Sequence, residues 1–118
     1  MNIFVLDRSP GIAARMQCDR HVVKMTLESA QMLATAVNEL GGQTPYKSAH
    51  LNHPCSVWAR ETLGNFIWLY DHGMALAKEY TRRYGKVHKS EAVIQECMDQ
   101  CRDLSLYNLK RTPHPLCM

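Results

Sequence analysis

The sequence predicts an all-α fold, a compact single-domain helical bundle with a short extended N-terminal arm. Two helical patterns carry that prediction. Cys18 to Leu40 is the longest uninterrupted one, with no Gly or Pro inside it. From Pro54 to Gly85, Trp58, Thr62, Asn65 or Phe66, Leu69, Gly73, Leu76 and Tyr80 recur at helical spacing. The third observation is negative: the short β-prone stretch Met1 to Asp7 meets no clear partner strand elsewhere in the chain. With 118 residues there is room for one core and no good case for two domains.

Each element has a local reason. Residues 1–8 read as an arm laid across helices, with Ile3, Phe4, Val5 or Leu6 as anchors. Ser9-Pro10 is a helix start, Ser as N-cap and Pro at the first helical position, giving a short helix through about Met16. In the Cys18 to Leu40 stretch, Asp19 is available as an N-cap. At about 100° per residue, Val22, Val23, Thr26, Leu27, Ala30, Leu33, Ala34, Val37 and Leu40 cover one broad side. Met25, Met32 and Ala36 extend it. His21, Lys24, Glu28, Gln31 and Thr35 fall on one narrow line down the remaining face. Such a seam marks either a central helix grazing solvent or one wall of a polar site.

Gly41-Gly42 stops this helix, and Gln43 to Asn52 reads as loop. His53-Pro54 should then begin one long helix running to Gly85, with His53 as cap. Gly64 and Gly73 weaken that helix by about 1 kcal/mol each relative to Ala, which implies close packing of another helix there. Ser90 is expected to cap a last helix, SEAVIQECMDQCRDL, with Ala92, Val93, Ile94, Cys97 and Cys101 toward the core. The tail over residues 108–118, with Pro113 and Pro115, reads as irregular.

Composition narrows the function classes. Hydrophobic content of 46% with 21% charged residues is ordinary for a globular protein. No apolar run approaches the roughly 18 residues that would cross a bilayer, and MNIFVLD lacks the features of a signal peptide. The expectation is a cytoplasmic protein with no membrane partner, in the host cytoplasm if phage-encoded. The five cysteines are odd in number and scattered, which argues for reduced thiols over a disulfide framework. Cys97 and Cys101 stand i, i+4 and could supply two metal ligands, although two small buried hydrophobes is the better reading. His50-x-x-His53-x-Cys55 has ligand-like spacing, but His53 already has a capping role. Neither a metal nor a cofactor is expected.

There is no Gly-rich phosphate loop, HExxH, GxSxG or paired CxxC. Net charge is only +3, but Lys78, Arg82, Arg83, Lys86 and Lys89 cluster against the single acid Glu79, with Tyr80, Tyr84 and His88 interleaved. A tract of this kind can track phosphates and stack bases. It can equally be a solvated helix end whose cations complement the C-terminal dipole. The seam offers a similar choice. Lys24 and Glu28 either neutralise each other on the surface, worth a few tenths of a kcal/mol, or form a partly buried pair. In a buried pair, the Lys would bind phosphate or the Glu would polarise a substrate.

Asp19-Arg20-His21-Val-Val-Lys24-x-x-x-Glu28-x-x-Gln31-x-Leu33, followed by Asn52-His53-Pro54-x-x-x-Trp58 and then Arg83-Tyr84-Gly85-Lys86, resembles the pyrimidine dimer DNA glycosylase (endonuclease V-like) family, especially its compact bacterial and phage branch. The resemblance spans about residues 1 to 90. It implies an all-α fold and a two-step lesion repair. An N-terminal amine attacks the sugar carbon bearing a damaged pyrimidine to form an imine, and a glutamate on the first long helix assists strand elimination. Asn2 is large enough that Met1 should be retained, so the amine would belong to Met1. Glu28 is the carboxylate on the seam. Arg20 and Lys24 would hold phosphates beside His21 and Gln31, and Asn52, His53 and Trp58 would line the opposite wall. Arg83, Lys86, His88 and Lys89 would extend the contact to DNA. An alternative from a different class is a non-catalytic, phage-type protein that binds or sequesters a free nucleotide or nucleotide signal in the equivalent pocket. A third is an interaction module whose seam is a solvated stripe.

Overall fold

In a computed structural model, residues 8–15 and 19–102 are described, apart from the side chains of Arg15 and Arg20. They form five helices: α1 (Pro10–Arg15), α2 (Asp19–Glu39), α3 (Pro54–Glu61), α4 (Leu63–Tyr84) and α5 (Glu91–Cys101). No strand occurs among the described residues, so the all-α class holds. The expected N-terminal arm lies outside them except for Arg8, as does the expected irregular tail.

α2 is the spine, packing against α3, α4 and α5, while α1 lies on α4. Its apolar side supplies Ala30, Met32, Leu33, Ala34, Ala36 and Val37 to the main core, where they meet Trp58, Phe66, Leu69, Ile94 and Cys97. A smaller cluster joins Val22 and Met25 to Ala14 and Leu76. The apolar stripe is narrower than the periodicity implies: Val23 and Leu27 are each 39% exposed. Gly41 closes α2 in the left-handed region, at φ 100°.

The long helix expected from Pro54 to Gly85 is two. Thr62 adopts an extended conformation, φ −140° and ψ 156°, and ends α3 while capping α4. Its Oγ1 accepts from the Asn65 N–H at 3.0 Å, and Asn65 Nδ2 donates to the Trp58 carbonyl at 2.9 Å, so the break is fully hydrogen-bonded. Gly73 lets α2 and α5 converge on α4; a Cβ there would lie 3.2 Å from both Ser29 Cβ and Ile94 Cδ1. Ser90 departs from its expected role. It makes no cap bond and pairs its hydroxyl with Tyr46 at 2.9 Å. Ala92, expected in the core, is exposed.

Two bonds fix the entry into α1 on α4: Trp68 Nε1 donates to the Arg8 carbonyl at 3.0 Å, and His72 Nδ1 donates to that of Pro10 at 3.1 Å. The cysteines need one correction. Cys55 is disulfide-bonded, with its partner outside the described residues. Chain spacing carries no information on which thiols meet in space, which is why five scattered cysteines read as reduced. Cys97 and Cys101 are free and buried, and burial pushes the Cys97 thiol up to about 12.

Thr62→Ala should cost about 1 kcal/mol, the usual value of a lost N-cap, whereas Thr62→Ser should retain most of that stability. Urea unfolding of the three proteins checks this, and equal midpoints would show that the Thr62 hydroxyl does not hold the break.

Candidate functional site

The seam of α2 runs from solvent into the fold. Lys24 is exposed, His21, Glu28 and Gln31 are half-buried, and Thr35 is fully buried. Glu28 Oε2 is enclosed by protein. Farther along, Thr35 Oγ1 accepts from the Ala49 N–H at 3.0 Å and Asn38 Nδ2 donates to the Tyr46 carbonyl at 3.0 Å, pinning the 43–50 loop over the helix. Between them lies a cavity of about 450 Å³ lined by Leu27, Gln31, Pro45, Tyr46, Lys47, Ser48 and Ala49.

α3 supplies the facing wall. His50 takes a left-handed turn, φ 50°, and its carbonyl accepts from the His53 N–H at 3.0 Å. This sets His53 as the N-cap of α3, where its Nδ1 accepts from the Cys55 N–H at 3.1 Å. The His53 pKa lies below the ordinary 6.5. Burial is the main cause, nearby positive charge including His50 pushes the same way, and Glu28 opposes it. α2 and α3 pack against each other, so the seam and the Asn52-His53-Pro54 motif stand on neighbouring elements. Asn52 itself is exposed.

Trp58 is placed differently from the expectation. It is 3% exposed and packs edge-on against Trp68, ring centroids 6.3 Å apart. It supports the wall from the core and presents no open face on which a base could stack.

The end of α4 reaches the first turns of α2. Arg83 Nη1 bonds Asp19 Oδ1 at 2.9 Å, and His88 Nε2 donates to the Val23 carbonyl at 3.1 Å. The basic tract is not a row of free cations. Glu79, 5% exposed, accepts from Arg82 at 3.0 and 2.8 Å and from Arg83 at 2.9 Å. These bonds, Arg82 first, hold its carboxyl below the ordinary range against burial. Lys78, Lys86 and Lys89 remain exposed. Tyr80 packs on Tyr84 and on the His88 ring, with centroids 5.0 and 4.8 Å apart, which also steadies the turn. Met1 and the side chain of Arg20 lie outside what is described.

Two residues of this wall escape a motif reading. Ser56 and Arg60 follow His53 by three and seven positions and so share its face of α3. Ser56 is fully buried, and neither its Oγ nor Arg60 Nη1, also buried, has a hydrogen-bond partner. Each such group costs about 1–3 kcal/mol, more when charged. The signal was present in the sequence, since His53, Ser56 and Arg60 repeat the spacing of His21, Lys24 and Glu28. Among the described residues, no cluster of three or more His, Cys, Asp or Glu side chains is arranged to hold a metal ion.

The family model described as pyrimidine dimer DNA glycosylase matches residues 1–92. No curated protein and no solved structure matches significantly.

Protonating His53 removes the lone pair that accepts from Cys55. Its folded pKa is depressed, so the folded state binds fewer protons than the unfolded one as pH falls below 6.5. Stability should thus be complete above that pH and decline below it. His53→Asn keeps a capping acceptor without the titration and should flatten this slope. Denaturant melts from pH 5 to 8 measure the effect.

Proposed function

The chain belongs to the pyrimidine dimer DNA glycosylase family, and from that premise we propose that it removes damaged pyrimidines from DNA through an amine at Met1, with Glu28 as the assisting carboxylate. The observation that supports this reading is that Glu28 is half-buried on α2, which packs against the helix that His53 caps.

In the first step, the neutral amine adds its lone pair to C1′ of the lesion sugar, and the glycosidic electron pair leaves with the base. The C1′–O4′ bond then breaks as a proton passes from the nitrogen to O4′, which opens the sugar and leaves a protonated imine that acidifies the C2′ proton. Glu28 accepts that proton, and the electron pair expels the 3′ phosphate in a β-elimination. A carboxylate suits this role only when it is ionised and fixed within reach of the proton. Placement on a long, packed helix supplies the fixing. Lys24 and the exposed Lys78, Lys86 and Lys89 contribute the charge that holds a phosphate backbone.

A second reading has its own support. The 450 Å³ cavity between Gln31 and the 45–49 segment falls within the size range of small-ligand pockets, and it joins Tyr46 and Lys47 to the apolar Leu27. A free nucleotide bound there without catalysis would make the protein a sequestering member of the family.

Borohydride reduction during incubation with duplex DNA containing an abasic site should trap a covalent protein-DNA adduct. Its yield should rise with pH toward the ordinary amine pKa of about 8, because only the neutral amine attacks. Glu28→Gln should still form adduct but lose strand elimination by about 10²-fold or more, as expected for loss of a general base. If no adduct forms with the intact N-terminus, as verified by mass, the imine mechanism is wrong. Calorimetric binding of mononucleotides without affinity for DNA would favour sequestration.

A further inference from the structure

Ser56 and Arg60 play no part in the chemistry above, yet they are the unusual polar groups of α3. A fully buried hydroxyl and a buried guanidinium nitrogen, one helical turn apart, both lack an acceptor. Buried donors in folded proteins are almost always satisfied, and exceptions call for an explanation such as a bound ion. Both groups present donors, so the missing partner is an acceptor. A guanidinium adds positive charge and a planar fork suited to oxyanions. The enclosure is partial: Arg60 as a residue is half-exposed while its Nη1 is covered. The arginines of α4 show the contrast, since Arg82 and Arg83 are tied to Glu79.

We infer that Ser56 and Arg60 form a phosphate-binding pocket on α3, on the helix face that begins at His53. A tetrahedral phosphate offers several oxygens and can accept from Arg60 and Ser56 together, whereas a carboxylate has only two. That the phosphate belongs to DNA rests on the glycosylase reading. That Ser56 and Arg60 bind phosphate does not. In a DNA complex, the pocket would hold a backbone phosphate close to the lesion and orient the sugar toward Glu28. Its residues are positioning groups for the reaction.

The test uses the full chain and two probes. The first is inorganic phosphate, titrated at constant ionic strength while the Arg60 side-chain Nε–H signal is followed by NMR. Saturable movement is expected in the wild type, with weakening of about tenfold in Ser56→Ala and loss of binding in Arg60→Gln. Thermal midpoints should stay level or rise, because Ser56→Ala removes an unsatisfied buried donor and Arg60→Gln removes a partly covered charge. The second probe is a duplex carrying a stable abasic analogue. Arg60→Gln should lower the slope of log affinity against log salt by about 1, the value for one lost phosphate contact. An Arg60 signal unmoved by phosphate, or variants that melt lower and bind phosphate as the wild type does, would overturn the pocket. Duplex binding with an unchanged salt slope in that case would leave the glycosylase reading standing. Phosphate binding with no affinity for the duplex would keep the pocket and remove DNA as its ligand.

Discussion

Gly73 has no side chain at the point where α2, α4 and α5 converge, and the remaining arrangement depends on that approach. Ser29 and Ile94 sit where a Cβ would come within 3.2 Å of each. A helix as well packed as α4 would gain about 1 kcal/mol from Ala in isolation, so the glycine is held there by tertiary packing. α3, α4 and α5 all pack on α2. Its exposed positions include Val23, Lys24 and Leu27, with Glu28 and Gln31 half-buried beside them. The site is located by where the packing stops.

That logic separates what the sequence shows from what it conceals. Helix identity is local, so the α2 periodicity, the Ser9-Pro10 start, the Gly41 stop and the Gly85 cap all appear in the structure near their expected places. The α3-α4 break is local too, since Thr62 stands three residues before Asn65 in the pattern of a capping hydroxyl. Helical spacing on both sides masked it. The exposure of Val23 and Leu27 and the core position of Trp58 depend on which neighbour covers which face, and that is not encoded in a single helix's spacing. The Cys55 disulfide belongs to the same class of information.

The candidate site was legible as two motifs, and their meeting was not. The α2 seam and the His53-Pro54 helix start are separated by a loop whose course is set by Thr35, Asn38 and Tyr46. None of these carries an obvious chemical role. They matter because an ordered loop fixes where α3 begins, and hence which of its faces meets α2. His53 links both levels: its ring caps α3 and senses Glu28.

The cations show why counting charge along a chain misjudges binding. Between Lys78 and Lys89 the sequence holds five basic residues and one acid, and it looks like the richest phosphate-binding region. Folding puts Glu79 within hydrogen-bond distance of Arg82 and Arg83 at i+3 and i+4, and Arg83 also reaches Asp19. Arg83, largely covered and shared between two carboxylates, would have to give up strong charge-assisted bonds before it could hold a ligand. Arg60 stands alone in a stretch with no basic run, next to Glu61 in sequence, and attracts no notice there. Its covered nitrogen has no bond to give up. A ligand oxyanion at Arg60 gains a new bond, whereas one at Arg83 exchanges an old one. The difference in available free energy favours the solitary arginine over the cluster.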